Sequence, residues 1–115
     1  MSEDNINIDN ITNCAAIIKR GILKKVNHSF EQFLGFDKEI LLEKTLVNFF
    51  APESLFNIEE YYLKKLKGIK ENSYKAVLLK NNCDKVKVEI TMKPIKFRGE
   101  IADLIIIKEL KEFDL

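Results

Sequence analysis

The sequence predicts an α+β fold in which strands and helices are segregated along the chain. Residues 21–36 read G-I-L-K-K-V-N-H-S-F-E-Q-F-L-G-F and show a strand, a helix cap, an amphipathic turn and a stop in one stretch. Residues 85–93 alternate with period two, with Val86, Val88, Ile90 and Met92 on one face and Lys87, Glu89 and Thr91 on the other. The order of elements is strand, strand, several helices, then three strands, without the strand–helix alternation of a parallel sheet.

Each element has a local cause. Residues 1–13 are acidic and Asn-rich, with Ile6, Ile8 and Ile11 weakly amphipathic, and form either a short flanking helix or a disordered arm. Residues 14–19 and 22–26 are two strands joined by a tight turn at Arg20-Gly21. Asn27 caps a helix whose Phe30, Phe33 and Leu34 fall at i, i+3, i+4, and Gly35 suits the position past its end. Asp37 caps a second brief helix carrying Ile40, Leu41 and Leu42, and residues 45–50 form an apolar connector rich in aromatics. Pro52, Glu53 and Ser54 open a longer helix, because proline and acid are both favoured in a first turn. Leu55, Ile58, Tyr62 and Leu66 then recur at spacings of three and four, and Gly68 ends the helix. Residues 73–80 are strand-like, 81–84 make a hairpin turn, and a last strand over 101–107 follows a turn at Arg98-Gly99.

Composition bounds the function. A chain of 115 residues that is 46% hydrophobic supports one domain with a sizeable core. Nineteen basic and eighteen acidic side chains nearly cancel, so no global charge argues for nucleic acid or an anionic membrane as partner. The apolar run 104–107 is far short of the roughly 20 residues of a membrane span. The N-terminus lacks the cationic flank and apolar block of a secretory signal, so a cytoplasmic location is expected. In that setting Cys14 and Cys83 are expected as free thiols.

These segments together resemble a PAS domain, the small sensory module of signal-transduction proteins. The strand ending in Val26-Asn27 followed by F-x-x-x-x-G-[YF] fits the family's opening. Residues 41–46 (L-L-E-K-T-L) resemble its L-L-G-K-S-L, residues 51–54 its H-P-E-D, and residues 108–112 its closing R-D-I-T-E. The likeness runs over residues 14–112, with 1–13 as a flanking arm and 113–115 as a tail. It implies a five-stranded antiparallel sheet of order 2-1-5-4-3 with helices on one face around a small pocket. Three positions depart from the family: Glu43 and Cys83-Asp84 stand where glycine is usual, and Lys111 replaces a threonine. Glu109 keeps the acid of the closing motif, which implies a role in signal output.

The residues argue against a resident cofactor. The resemblance implies that haem would need a histidine on the long helix, and the single histidine, His28, belongs to the earlier one. A blue-light flavin site would need a cysteine near Asn48-Phe49-Phe50, and a flavin-redox site commonly uses tryptophan, which the chain lacks. One histidine and two distant cysteines cannot close a zinc site. No nucleophile–base pair or phosphate loop is evident, and no catalytic activity is expected.

What remains is an apolar hollow. Phe30, Phe33, Phe49, Ile58, Ile90 and Met92 are expected to converge between helices and sheet, with Tyr62 and Asn48 as polar handles for a small organic ligand. Taken one by one, the same residues are more commonly core filling than ligand contacts. Ile17-Ile18 and Leu104-Ile105-Ile106 are apolar at consecutive positions, so both sheet faces are greasy there. The arm with Ile6, Ile8 and Ile11 and a second copy of the chain are expected to cover the outer stripe together, the alternative being a monomer whose arm alone suffices. The expected function is a non-catalytic sensory and interaction module, homodimeric, sensing a small ligand or partner and read by a histidine kinase or another output domain. The alternative is a purely structural dimerisation domain with a filled core.

Overall fold

A computed structural model of the chain describes residues 7–69 and 72–111. Ile6 and the tail from residue 112 onward lie outside the described residues. Strands β1 (Cys14–Lys19), β2 (Ile22–Val26), β3 (Ser73–Leu79), β4 (Lys85–Phe97) and β5 (Glu100–Glu109) form one antiparallel sheet of order β2-β1-β5-β4-β3. Between β2 and β3 run helices α1 (His28–Leu34), α2 (Lys38–Leu41) and α3 (Leu55–Leu66), with 3₁₀ turns at Leu46–Phe49 and Pro52–Ser54. A further 3₁₀ turn, Ile8–Asn10, precedes β1. The expected order of strands is the order found.

Two of the hairpins are closed by the same dipeptide. Arg20 and Gly21 have φ of 53° and 81°, and Arg98 and Gly99 have φ of 52° and 80°. Two successive left-handed residues match the twist of the flanking strands, and glycine adopts the second at no steric cost. Two other non-glycine residues with positive φ, Glu43 (67°) and Cys83 (71°), are those found where the resemblance leads one to expect glycine.

Strand β4 continues past its expected end at Lys93 to Phe97, through Pro94. The register explains the proline. Met92 donates its N–H to Asn72 O on the β3 side, at 2.7 Å, so the nitrogen two residues on faces the same way. Strand β3 pairs only as far as Thr91, and Pro94 therefore lies where β4 is an edge and a missing N–H leaves nothing unpaired.

One connector covers part of each margin of the sheet. Lys44 O and Glu43 N pair with Leu23, and Leu46 N donates to Gly21 O, which covers the start of β2. Eight residues on, Ala51 N donates to Val77 O at 2.8 Å and Ser54 Oγ accepts from Val77 N, sealing β3. Exposed strand edges invite pairing with other chains, and here the connector takes up those groups first.

Asn27 joins three elements. Its Oδ1 accepts from Phe30 N at 3.0 Å, capping α1, and from Ala15 N at 3.1 Å in β1. Its Nδ2 donates to Ile8 O, Ile11 O and Asn13 O at 3.2, 3.0 and 2.8 Å, holding the N-terminal arm. The side chain is buried. At the other end of α1, Asn81 in the β3–β4 turn donates from its backbone to Leu34 O and from Nδ2 to Gly35 O, pairing carbonyls the helix cannot satisfy itself.

The sheet buries two apolar clusters. The inner face, with Ala16, Ile18, Val88, Ile90, Met92, Ile105 and Ile107, packs on Phe30, Leu34, Leu41, Phe49, Phe50 and Ile58. The outer face, with Ile17, Ile95, Ala102 and Leu104, packs on Ile8 of the arm, with Ile11 and Ile106 at its rim. Ile18 and Ile105, expected on the outer stripe, thus belong to the inner core. Strand parity separates them from Ile17 and Leu104, because neighbouring residues point to opposite faces.

Two outcomes follow. Replacing Asn27 with Ala should lower stability by about 2–4 kcal/mol, the sum of a lost cap and buried groups left unpaired, read as a shifted urea midpoint. Replacing Cys83 with Gly should raise stability by about 1 kcal/mol by relieving the left-handed strain, read as a higher melting temperature.

Candidate functional site

The candidate site lies where α3 crosses the inner face of the sheet. Three features orient α3: the 3₁₀ turn Pro52–Ser54, the bond of Ser54 to Val77, and the buried side chain of Ile58. From Ile58 the helix turns Tyr61 inward, three residues on, and Tyr61 is 2% exposed. Tyr62, the expected handle, is 44% exposed and lies on the flank of the helix. Asn48, the other expected handle, is also exposed. Of the expected pocket residues, Phe30, Phe49, Ile58, Ile90 and Met92 converge in the inner core with Phe33 packed against it. Tyr62 and Asn48 do not join them.

The tyrosines under α3 form a cluster. Tyr61 and Tyr74 of β3 have ring centroids 4.5 Å apart, and Tyr61 and Tyr62 meet edge-on at 5.5 Å. Lys65 Nζ sits 5.4 Å from the centre of the Tyr61 ring, within range of a cation–π attraction. Burial pushes the Tyr74 hydroxyl well above the ordinary phenol range, with Tyr62 and Tyr61 adding to the rise. Tyr62 is raised by burial and then by the nearby Asp103 carboxylate. The Tyr61 hydroxyl is buried and has no hydrogen-bond partner.

Asp103 is the inward carboxylate of this region. It has the parity of Ile105 and Ile107 on β5 and pairs across the sheet with Ile18 and Pro94. Burial raises its pKa above the usual carboxylate value, and Lys65 opposes the rise. With Tyr62, Thr45, Val47, Ile18 and Arg20 it lines a cleft of about 440 Å³ at the rim of the inner face. A cleft of about 430 Å³ on the β3 side of α3 is lined by Tyr61, Tyr74, Asn57 and Glu60, among others. The tyrosine cluster therefore lies between two openings.

At the far end of the sheet Glu109 lies in the last turn of pairing, opposite Val88. It lines a cleft of about 620 Å³ with Cys14, Ser29, Phe33 and Lys108, among others, where β5 runs on past the first residue of β1. The Cys14 thiol is buried and pushed up to about 12 by that burial, which leaves it protonated and unreactive at neutral pH. Cys83 and His28 are exposed. Among the described residues no helix is long and apolar enough to cross a membrane.

The sequence reading missed Tyr61, Tyr74 and Asp103. A signal for Asp103 was present, since a period of two puts it on the face of Ile105 and Ile107. The expected face of the long helix, Leu55, Ile58, Tyr62 and Leu66, is corrected: only Ile58 of the four is buried and Tyr61 takes the place of Tyr62, because i+3 and i+4 from Ile58 lie on one helix face and periodicity does not choose between them.

The fold has solved relatives. A PAS domain from a Desulfitobacterium hafniense protein is 23% identical, with a TM-score of 0.74 over 90% of this chain and 97% of that one. The PAS domain of an HTR-like protein from Haloarcula marismortui is 19% identical, with a TM-score of 0.70 over 90% and 85% of the two chains. The LOV domain of a blue-light activated histidine kinase from Erythrobacter litoralis is 13% identical, with a TM-score of 0.73 over 90% and 100%. At these identities the likeness is one of fold. No curated protein matches the chain at a significant level. The family model described as PAS domain matches residues 12–112, and with nearly the whole chain so matched, on the strand order and caps described above, the protein belongs to the PAS domain family.

Proposed function

We propose that the chain is a non-catalytic sensory and interaction module of a signalling protein, binding a small organic ligand beneath α3 and self-associating as a homodimer. The observation that carries this reading is the Tyr61 hydroxyl, buried without a hydrogen-bond partner beside a cleft. Such a group costs about 1–3 kcal/mol, and a ligand with one polar atom at that place would offset the cost. The cleft that Tyr61 lines with Tyr74, Asn57 and Glu60 supplies room for such a molecule, and Phe49, Ile58, Ile90 and Met92 form the apolar core behind it. Solved relatives include a PAS domain of a two-component sensor histidine kinase, which supports a kinase or similar domain as the reader of the signal. Glu109, at the end of β5, is where such an output element would couple. The fully buried Phe30, Leu34 and Ile90 favour the second reading, a structural dimerisation domain whose core is simply filled.

Tyr61→Phe separates the two. It should raise the stability of the ligand-free chain by about 1 kcal/mol in urea unfolding, because an unpaired hydroxyl is removed. In a thermal-shift screen of small organic compounds, a hit that stabilises the natural chain should lose about tenfold in affinity for the variant. Hits that bind both proteins equally, or a screen and native mass spectrometry that both find no ligand, would favour the filled core.

Asp103 gives a test by pH. An acid whose folded pKa is raised binds its proton more tightly in the native state, so its contribution favours folding at low pH. That contribution declines as pH rises from the ordinary value of about 4 through the raised folded one. Asp103→Asn should therefore flatten the stability profile just above pH 4 and leave the chain more stable than the natural one at pH 7, as read by urea midpoints across that range.

A further inference from the structure

The largest apolar surface left in water lies on one helix. Among the described residues, six of the nine large hydrophobic side chains that are exposed fall between residues 55 and 69: Leu55, Phe56, Tyr62, Leu63, Leu66 and Ile69. Phe56 is 65% exposed, Leu63 55% and Leu66 84%. Leu55, Glu59, Tyr62 and Leu66 follow one another at steps of four, three and four, with Phe56 and Leu63 one residue further round. They form a stripe that runs from the flank of α3 at Tyr62 round to its solvent side at Phe56 and Leu63, with Glu59 set within it. A cluster of exposed apolar side chains around a few charges marks an interaction surface more often than a solvated one.

The charges along α3 identify its partner. The acids Glu59 and Glu60 precede the midpoint of this stretch, and the bases Lys64, Lys65 and Lys67 follow it. Leu63 is the midpoint between Glu59, four residues before it, and Lys67, four after. When two such helices pack antiparallel about a twofold axis through Leu63, each Glu59 faces Lys67 of the other copy, and the helix dipoles oppose as well. A parallel pairing would set acid against acid and base against base. The surface is thus complementary to itself in one orientation, while the outer sheet face already has Ile8 of its own chain upon it.

We infer that the homodimer forms through antiparallel contact of α3 with α3, centred on Leu63, and not through the outer face of the sheet. This rests on the homodimer reading above and names its surface. Contact there also closes over the flank of the Tyr62–Asp103 cleft, so self-association and occupancy of that cleft would influence one another.

Sedimentation equilibrium of the full chain tests the inference, with circular dichroism to establish that each variant is folded. The natural chain should dimerise, and Leu63→Glu, at an exposed helical site, should raise the dissociation constant at least about tenfold. Glu59→Lys should weaken the dimer, and Glu59→Lys with Lys67→Glu in the same chain should restore it. Ile106→Glu on the outer face should leave it unchanged. Failure of the double reversal to restore association would overturn the antiparallel pairing. A dimer weakened by Ile106→Glu but not by Leu63→Glu would overturn the surface and keep the homodimer. A natural chain that stays monomeric at high micromolar concentration would remove both, and capture of that monomer by anionic lipid vesicles would assign the stripe to a membrane surface instead.

Discussion

The structure depends on a single buried amide. Asn27 ends β2, starts α1, bonds to β1 and holds the arm, all through one side chain. Its two hydrogens are shared among three carbonyls and its oxygen serves two N–H groups, so each polar atom in this dry junction has a partner. The arm is thereby placed over Ile17 and Leu104, and α1 over the inner core. One residue decides what covers each face of the sheet. No apolar residue could do so, because apolar contacts have no direction.

Much of this was legible in the sequence. The period-two pattern of β4, the cap and stop of α1, and the paired Arg-Gly turns each rest on neighbours within a few residues, and each was found where local chemistry put it. The likeness to a PAS domain added the order of the strands, which local chemistry cannot supply. It also marked Glu43 and Cys83, where the backbone is left-handed without glycine. The run of β4 through Pro94 was hidden, because whether a proline sits on an open edge depends on where another strand stops.

The candidate site was less legible for a related reason. Which tyrosine of the Tyr61-Tyr62 pair faces inward depends on the roll of α3, and that roll is fixed by Ser54 and Val77, far apart in sequence. Periodicity gives the face of a helix to within a residue, and here one residue separates a buried hydroxyl from an exposed one. Consecutive isoleucines posed the same problem in the strands. Ile17-Ile18 and Leu104-Ile105 announce apolar surface on both sides, but only the pairing of Ile18 with Asp103 and of Ile17 with Leu104 assigns each to its layer.

The connector along the margins of the sheet has a consequence for how this molecule meets others. Its stitches at Gly21 and Leu23 on one border, and at Val77 on the opposite border, come from a single short stretch of chain. Where these stitches lie, a foreign peptide finds the backbone groups already taken, and the bare edge of β4 beyond β3 carries Pro94, which has no N–H to offer an added strand. Traffic with other molecules is left to helix surfaces and to hollows between layers, where side chains rather than backbone decide who is recognised.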